Sequence, residues 1–156
     1  MQLTAHPEGG YFRETYRSNE ILEIEQLPKR YQVAHSFSTA IYYLLKGNQF
    51  SAFHRLKSDE VWHFYTGSTL IIHIISERGE YSEIKLGANL DEGEVFQVVI
   101  PAGCWFGATV SDKESFTLVG CTIAPGFDFS DFELGSCDEL LKLFPQHRKI
   151  IEKLTK

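Results

Sequence analysis

The most informative fifteen residues of this chain read Phe53-His54-Arg55-Leu56-Lys57-Ser58-Asp59-Glu60-Val61-Trp62-His63-Phe64-Tyr65-Thr66-Gly67. His54 and Glu60 stand six positions apart, and an aromatic and β-branched run follows that ends in a glycine. This run predicts a strand, and Gly67 predicts the turn after it. Because imidazole and carboxylate groups bind metals or exchange protons, His54 and Glu60 are the first candidates for a functional site.

Short aromatic and β-branched segments recur on both sides of this stretch, with turn residues between them. They predict strands at residues 11–17, 40–45, 50–56, 60–65, 69–76, 81–86, 95–100, 105–110 and 116–123. Gly47-Asn48, Gly67-Ser68 and Arg78-Gly79 are typical of the turns that join such strands. Many short strands with regular turns favour an antiparallel sandwich or jelly roll.

The hydrophobic period changes near the end of the chain. Ser136 is placed to cap a helix, and Leu140, Leu141 and Phe144 fall on one face of that helix. Pro145 interrupts the pattern, which predicts two short helices or one kinked helix on the outside of the barrel.

Length and composition favour a single packed domain. The chain has 156 residues, of which 43% are hydrophobic and 13% aromatic, and one domain most often takes about 100 to 150 residues. We expect one domain over residues 1–156, with a β core at residues 1–135 and a helical tail at residues 136–156.

The net charge argues against two classes of partner, and the cysteine content indicates the cellular compartment. The net charge of −6 repels nucleic acid and anionic membranes, so neither is an expected partner. Cys104, Cys121 and Cys137 form no paired motif, which favours reduced thiols in a cytoplasmic protein. The sequence contains neither a signal-peptide pattern nor an apolar stretch of about 18 residues that would suggest a membrane span.

Four separated motifs occur in an order that resembles the fifth cupin family. They are the His54, Glu60 and Gly67 frame, Pro101-Ala102-Gly103, His6-Pro7-Glu8-Gly9-Gly10-Tyr11-Phe12 and Ala124-Pro125-Gly126-Phe127. The resemblance covers residues 5–135 and implies an all-β cupin double-stranded β-helix, or jelly roll, with a central ligand pocket. It does not imply one reaction, because cupins include dioxygenases, sugar isomerases, sugar epimerases, storage proteins and sensor domains.

The metal motif of the cupins is incomplete in this chain. Leu56 and Phe106 occupy two positions where the usual pattern has histidines, and neither side chain can donate to a metal. The resemblance therefore retains only His54 and Glu60 as ligand positions, and we expect no cofactor. The alternative is a divalent iron, manganese or zinc ion held by His54, Glu60 and a third group.

The first function hypothesis is a metal-independent cupin that binds a small polar ligand, such as a sugar or sugar nucleotide, and isomerises or epimerises it. Resemblance to the epimerase cupins implies His54 as the base, with Glu60 to orient its ring. Tyr11, Tyr43 or Tyr65 would supply the acid. In the alternative interpretation, His54 and Glu60 form only a buried hydrogen-bonded pair, and the protein is a non-catalytic ligand-binding or storage-like cupin.

Residues near the motif positions predict the wall of the pocket. The predicted ligand-binding residues are Glu8, Tyr11, Arg13, Trp62, His63, Trp105 and Phe106. Aromatic walls of this kind suit sugars and small organic acids. Strict strand alternation nevertheless points His63 away from Glu60.

The amino-terminal segment leaves two interpretations open. Gly9-Gly10 allows either a close approach of backbone to ligand or a tight turn before an edge strand, and Arg13 is either an anion contact or a solvated charge. We also expect a homodimer, with an amino-terminal strand available to pair with the sheet edge of its partner.

Overall fold

The computed structural model describes residues 1–156 and consists mainly of antiparallel strands, with two short helices near the carboxyl end. The strands are β1 (Thr4–Ala5), β2 (Tyr11–Arg17), β3 (Ile21–Leu22), β4 (His35–Ser36), β5 (Thr39–Lys46), β6 (Phe50–Arg55), β7 (Glu60–Gly67), β8 (Leu70–Ile75), β9 (Tyr81–Leu86), β10 (Gln97–Ile100), β11 (Trp105–Val110), β12 (Phe116–Ile123) and β13 (Glu133–Leu134). The helices are α1 (Cys137–Leu143) and α2 (Arg148–Lys153), and 3-10 turns lie at Ile24–Gln26, Leu90–Glu92, Phe129–Asp131 and Pro145–His147. The predicted all-β fold with a short helical tail is confirmed.

Two sheets face each other and hold the core between them. One has six strands in the order β1-β2-β5-β12-β7-β10, and the other has five in the order β13-β6-β11-β8-β9. Strands β3 and β4 form a separate small hairpin. Neighbours such as β5 and β12 are distant in the sequence, so the chain crosses repeatedly between the sheets, as in a jelly roll.

Alternation along each strand divides the apolar residues into two clusters. The larger cluster, of 17 buried residues, includes Leu45, Trp62 and Phe106 and lies between the sheets. In the smaller cluster, Trp105 of β11 and Ile151 of α2 are buried together, so the helices cover the outer face of the five-stranded sheet. Burying one large apolar side chain contributes about 1.5–3 kcal/mol, which explains why the tail docks on this sheet.

The amino-terminal turn and the last residues of the chain are both attached near β6. The Phe53 N–H donates to the Leu154 carbonyl oxygen at 2.7 Å, and Lys156 Nζ donates to the Pro7 carbonyl oxygen at 2.6 Å. The Ala52 N–H donates to the carbonyl oxygen of Glu8 at 2.9 Å. The amino-terminal turn and the residues after α2 therefore lie close together beside this strand.

Strand positions agree closely with the sequence predictions. β2, β9, β11 and β12 match in both bounds, and the other predicted strands differ by one or two residues at an end. The tail forms two helices separated at Pro145, and Ser136 stands at the start of α1 without a capping hydrogen bond from its side chain. With seven and six residues, α1 and α2 are both far too short to span a lipid bilayer.

Candidate functional site

A cavity of about 150 Å³ opens between the sheets, beside the loop that follows β12. Its wall combines an apolar majority with several buried titratable groups. The residues that line it are His6, Glu8, Phe12, Glu14, Arg17, Thr39, Ile41, Tyr43, His54, Leu56, Glu60, Trp62, Cys121, Ile123, Phe127, Asp128, Phe129 and Phe132.

Glu8 enters this cavity from the amino-terminal turn. Gly9 has a φ of 122°, and a Cβ at this position would collide with the Phe50 carbonyl oxygen. Only glycine combines this conformation with such a close approach to β6. The segment is a tight turn, as one of the two interpretations predicted, and its close approach to β6 brings Glu8 into the cavity wall. The approach of its backbone to a ligand stays a prediction.

His54 and Glu8 form the centre of a buried hydrogen-bond network. His54 Nε2 lies 3.0 Å from Glu8 Oε2, and His54 Nδ1 lies 2.8 Å from the Ala52 carbonyl oxygen. The Ser51 hydroxyl donates to Glu8 Oε1 at 2.8 Å. Because a carbonyl oxygen only accepts, Nδ1 carries a hydrogen, and both ring nitrogens are committed within the protein.

The charges of this pair follow from its partners. Burial raises the pKa of Glu8, but the charge of His54 and hydrogen bonds from His6 and Ser51 together lower this pKa to about 2. Burial lowers the pKa of His54 below its ordinary value, although Glu8 and the Ala52 carbonyl oppose this effect. Because His54 Nδ1 already carries a hydrogen, the 3.0 Å contact between His54 Nε2 and Glu8 Oε2 requires one further proton, which the two residues share as a buried pair without net charge.

Glu60 occupies the cavity wall in a different state. Its side chain projects from β7, is 6% exposed and forms no ion pair with any Lys, Arg or His. Burial and, more weakly, the charge of Glu8 raise the pKa of Glu60 to about 8, against the lowering effect of Trp62 and Cys121. Glu60 is therefore a neutral carboxylic acid at pH 7.

Trp62 contributes an unused hydrogen-bond donor beside Glu60. The two residues are two positions apart on β7, and alternation places them on the same face. The side chain of Trp62 is 1% exposed, and its Nε1–H has no hydrogen-bond partner. A buried donor without a partner is uncommon and indicates either strain or a missing ligand.

The predicted partnership of His54 with Glu60 is corrected by this geometry. No hydrogen bond or ion pair joins the two side chains, and the carboxylate that orients the His54 ring is Glu8. Glu8 was predicted only as a ligand contact at the pocket mouth. The sequence cannot reveal its role, because the turn that carries it reaches β6 through contacts between residues distant in the chain.

Five of the seven predicted ligand-binding residues do not line the cavity, and three of them lie on outward-facing strand positions. Arg13 is exposed and donates to the Met1 carbonyl oxygen, and Tyr11 packs against Lys46. Strand alternation explains both, since Phe12 between them points inward. His63 faces outward as alternation predicted, where Gln97 is its partner at 2.9 Å.

Trp105 and Phe106 also depart from their predicted role. Trp105 packs under the helices on the outer face of the five-stranded sheet, with the Arg55 guanidinium 4.6 Å from its ring centre. Phe106 points inward but lies behind His54, at 4.0 Å between ring centres, and supports the histidine without lining the cavity. Of the predicted residues, His54, Glu60, Glu8 and Trp62 do line it.

Several wall residues were not predicted as ligand contacts. Of the three tyrosines considered as acids, only Tyr43 lines the cavity, and its hydroxyl donates to the Gly9 carbonyl oxygen at 2.9 Å. Burial raises the pKa of Tyr43 well above its usual value. Alternation with Ile41 and Leu45 on β5 was the signal that could have identified it. His6, 3.3 Å from Glu8 Oε2, had no comparable signal.

The donor groups do not suit a transition metal. No three His, Cys, Asp or Glu side chains converge in a geometry that could hold one. His54 offers no free ring nitrogen, because one faces Glu8 and the other faces the Ala52 carbonyl oxygen. Leu56 lies in the cavity wall where a histidine ligand would stand in the usual cupin motif.

Comparison with protein families identifies the fold. The family described as Cupin superfamily (DUF985) matches residues 1–135. The chain belongs to this family. It is 31% identical to the uncharacterized protein YML079W of Saccharomyces cerevisiae, in an alignment that covers 90% of this chain and 74% of the yeast protein.

Solved structures agree with this cupin assignment. Protein SO0799 from Shewanella oneidensis is 39% identical, with a TM-score of 0.89 over 99% of this chain and 92% of the other. An oxalate decarboxylase variant from Bacillus subtilis is 16% identical, with a TM-score of 0.59 over 98% of this cupin and 37% of the enzyme. This second likeness shows the fold alone, and with it the predicted jelly roll is confirmed.

Proposed function

We propose that this cupin binds a small polar molecule about the size of one sugar ring in the cavity between its sheets. The observation that carries the proposal is the buried Trp62 Nε1–H, which has no hydrogen-bond partner and lies in the cavity wall beside the buried Glu60 carboxyl. The enclosed volume of about 150 Å³ is comparable to a protein cavity that takes one benzene ring. A sugar ring fits this space, whereas the nucleotide of a sugar nucleotide would lie outside it.

The proposed chemistry is metal-independent proton transfer, as in the isomerisation or epimerisation of a small carbonyl compound. Burial raises the pKa of Glu60 to about 8, and proton transfer is most efficient when the pKa of the transferring group is close to the working pH. His54 is less suited to the role of free base, since both its nitrogens are engaged. In this proposal Glu60 gives its proton to the carbonyl oxygen of the substrate while the neighbouring C–H proton passes to a water molecule, and the reverse transfers complete the exchange. The His54–Glu8 pair fixes the cavity wall.

Solvent deuterium exchange tests this chemistry without knowledge of the product. Monosaccharides and small hydroxy-ketones that raise the melting temperature would be incubated with the protein in D2O, and loss of C–H signal would be followed by NMR. We expect exchange with the native protein and a loss of roughly 10²–10⁴-fold in Glu60→Gln, the usual contribution of a general acid or base. His63→Gln, on the opposite face of β7, is the matched control and should exchange normally.

The outcomes separate the candidate functions. Ligand binding without deuterium exchange would favour the non-catalytic ligand-binding cupin, to which the internal bonding of both His54 nitrogens already gives support. No stabilisation by any compound in the screen would count against ligand binding in this cavity altogether.

We propose a homodimer as the assembly, formed through the outer face of the six-stranded sheet. Tyr42, Tyr65 and Val99 on this face are 37%, 52% and 51% exposed, whereas the solvated face of an antiparallel sheet is usually polar. Light scattering coupled to size-exclusion chromatography should give twice the mass of one chain. Val99→Glu should reduce it to that of one chain, and a native monomer at high concentration would refute the proposal.

A further inference from the structure

The unpaired Trp62 indole defines a fixed donor position inside the cavity. Its ring is held by Tyr43, at 5.7 Å between ring centres, and by Phe106, at 6.2 Å. The indole cannot turn away to find another acceptor, because Tyr43 and Phe106 pack against its ring and the side chain is 1% exposed. A hydrogen-bond acceptor on a bound ligand would pair with this N–H. A water molecule could accept the same hydrogen bond, but it would make none of the apolar contacts that a ligand ring makes with the cavity wall.

The Glu60 carboxyl lies next to this indole and shares its surroundings. Across the sheet, Cys121 of β12 stands opposite Trp62, and Ile123 stands opposite Glu60. Burial favours the protonated form of Glu60, so its O–H is a second donor beside the indole N–H. Trp62 lies close enough to the Glu60 carboxyl to lower its pKa, yet its N–H makes no hydrogen bond of good geometry there, so a ligand oxygen placed between the two groups would accept from both.

The rest of the cavity wall provides no free positive charge that could pair with a negatively charged ligand. His54 is neutralised by Glu8 at 3.0 Å, and Arg17 at the rim is engaged by Glu14 at 2.7 Å. No other Lys or Arg lines the cavity, and most of the remaining wall is aliphatic or aromatic. A buried carboxylate without a cation is strongly disfavoured, so the charge balance selects an uncharged molecule.

We propose that the ligand is an uncharged, ring-sized carbonyl compound whose carbonyl oxygen accepts hydrogen bonds from Trp62 Nε1–H and the Glu60 carboxyl. This inference rests on the proposed function and adds the substrate class and a positioning role for Trp62. It excludes small carboxylic acids from the enclosed part of the cavity. Polarisation of the carbonyl by two donors would also make the neighbouring C–H more acidic, which is the bond that isomerisation and epimerisation break.

Three ring compounds of nearly equal size separate the elements of this proposal. Tetrahydropyran-4-one carries a carbonyl group at position 4, and tetrahydropyran carries no acceptor at that position. Tetrahydropyran-4-carboxylate carries a negative charge there. The chain has only two tryptophans, so a 15N spectrum contains two indole N–H signals, and Trp105 beside the helices serves as an internal control. The ketone should move the Trp62 signal alone and bind roughly 10-fold more tightly than tetrahydropyran, with the carboxylate weaker still.

Variants assign the effect to the two donors. Trp62→Phe and Glu60→Leu should each remove most of the preference for the ketone, whereas Glu60→Gln keeps an N–H donor and should retain it. His63→Gln should bind all three probes as the native protein does. If Trp62→Phe does not fold, two measurements still test the proposal. They are the shift of the Trp62 indole signal in the native protein and the difference in ketone binding between Glu60→Leu and Glu60→Gln.

The possible failures are distinguishable. Equal binding of the ketone and tetrahydropyran, with an unmoved Trp62 signal, would overturn the carbonyl contact and leave small-molecule binding in the cavity intact. Tighter binding of the carboxylate would overturn the selection for uncharged ligands. No binding of any probe up to its solubility limit would remove both this inference and the proposed function.

Discussion

Glu60→Gln should change how the stability of this protein depends on pH, because the native carboxyl is buried in its protonated form. The pKa of Glu60 rises from the ordinary value of 4.5 to about 8 in the folded protein. Below pH 4.5 the carboxyl is protonated in both the folded and unfolded states. As the pH rises, the unfolded state ionises first, so the folded state loses stability until the pH passes the folded pKa.

The size of this effect follows from the two pKa values. The interval from 4.5 to about 8 spans about 3.5 pH units, and each unit corresponds to about 1.4 kcal/mol. The free energy of unfolding should therefore fall by about 5 kcal/mol between pH 4 and pH 9 relative to Glu60→Gln, which cannot ionise. At pH 9 the variant should be the more stable protein if its amide packs as well as the protonated acid.

Urea unfolding at a series of pH values, followed by tryptophan fluorescence, measures this difference directly. The difference in unfolding free energy between the native protein and the variant at each pH largely cancels the titration of all other groups, apart from those coupled to Glu60. The 13C signal of the Glu60 carboxyl, assigned with the same variant, should show a midpoint near pH 8 in the folded protein. A flat difference between pH 4 and pH 9, or a carboxyl midpoint near 4.5, would refute the reasoning.

Three further predictions concern the rest of the site. Glu8→Gln should lower the free energy of unfolding at pH 7 by about 1.5–3 kcal/mol because it removes the charge-assisted hydrogen bond to His54, whereas Ser51→Ala should lose about 1 kcal/mol. Equal losses in urea titrations would argue against the bond between His54 and Glu8. Gly9→Ala should lower the free energy of unfolding by about 1–3 kcal/mol or more, because residue 9 has a positive φ and an added Cβ would collide with the Phe50 carbonyl oxygen. Gly93→Ala also has a positive φ, but the space around it is open, so this variant should lose less stability in the same assay. Treatment of untagged protein with EDTA should leave its melting temperature unchanged, and a fall that iron or zinc reverses would contradict the assigned donor geometry.

The fold was predictable because its signals are local. Strand and turn patterns gave β2, β9, β11 and β12 in both bounds, since aromatic and β-branched runs end at turn residues. The same alternation correctly pointed His63 outward. Applied consistently, it would also have excluded Tyr11 and Arg13, which share the face opposite to Phe12, and at least one of the consecutive pair Trp105 and Phe106.

The pairing inside the site was beyond prediction because it depends on contacts between distant segments. The partner of His54 proved to be Glu8, which the amino-terminal turn brings across to β6, and not Glu60 of the following strand. The sequence also contains no measure of burial, and burial is what separates an ionised Glu8 from a protonated Glu60. Two identical side chains thus acquire opposite properties from their surroundings.

The contacts between the residues after α2 and the amino-terminal turn have a consequence for truncation experiments. Leu154 accepts a hydrogen bond from β6 and Lys156 donates to Pro7, next to the Glu8 that lines the cavity. Removal of residues 154–156 would delete both contacts. A change made outside the barrel would then disturb the cavity without altering any residue of its wall.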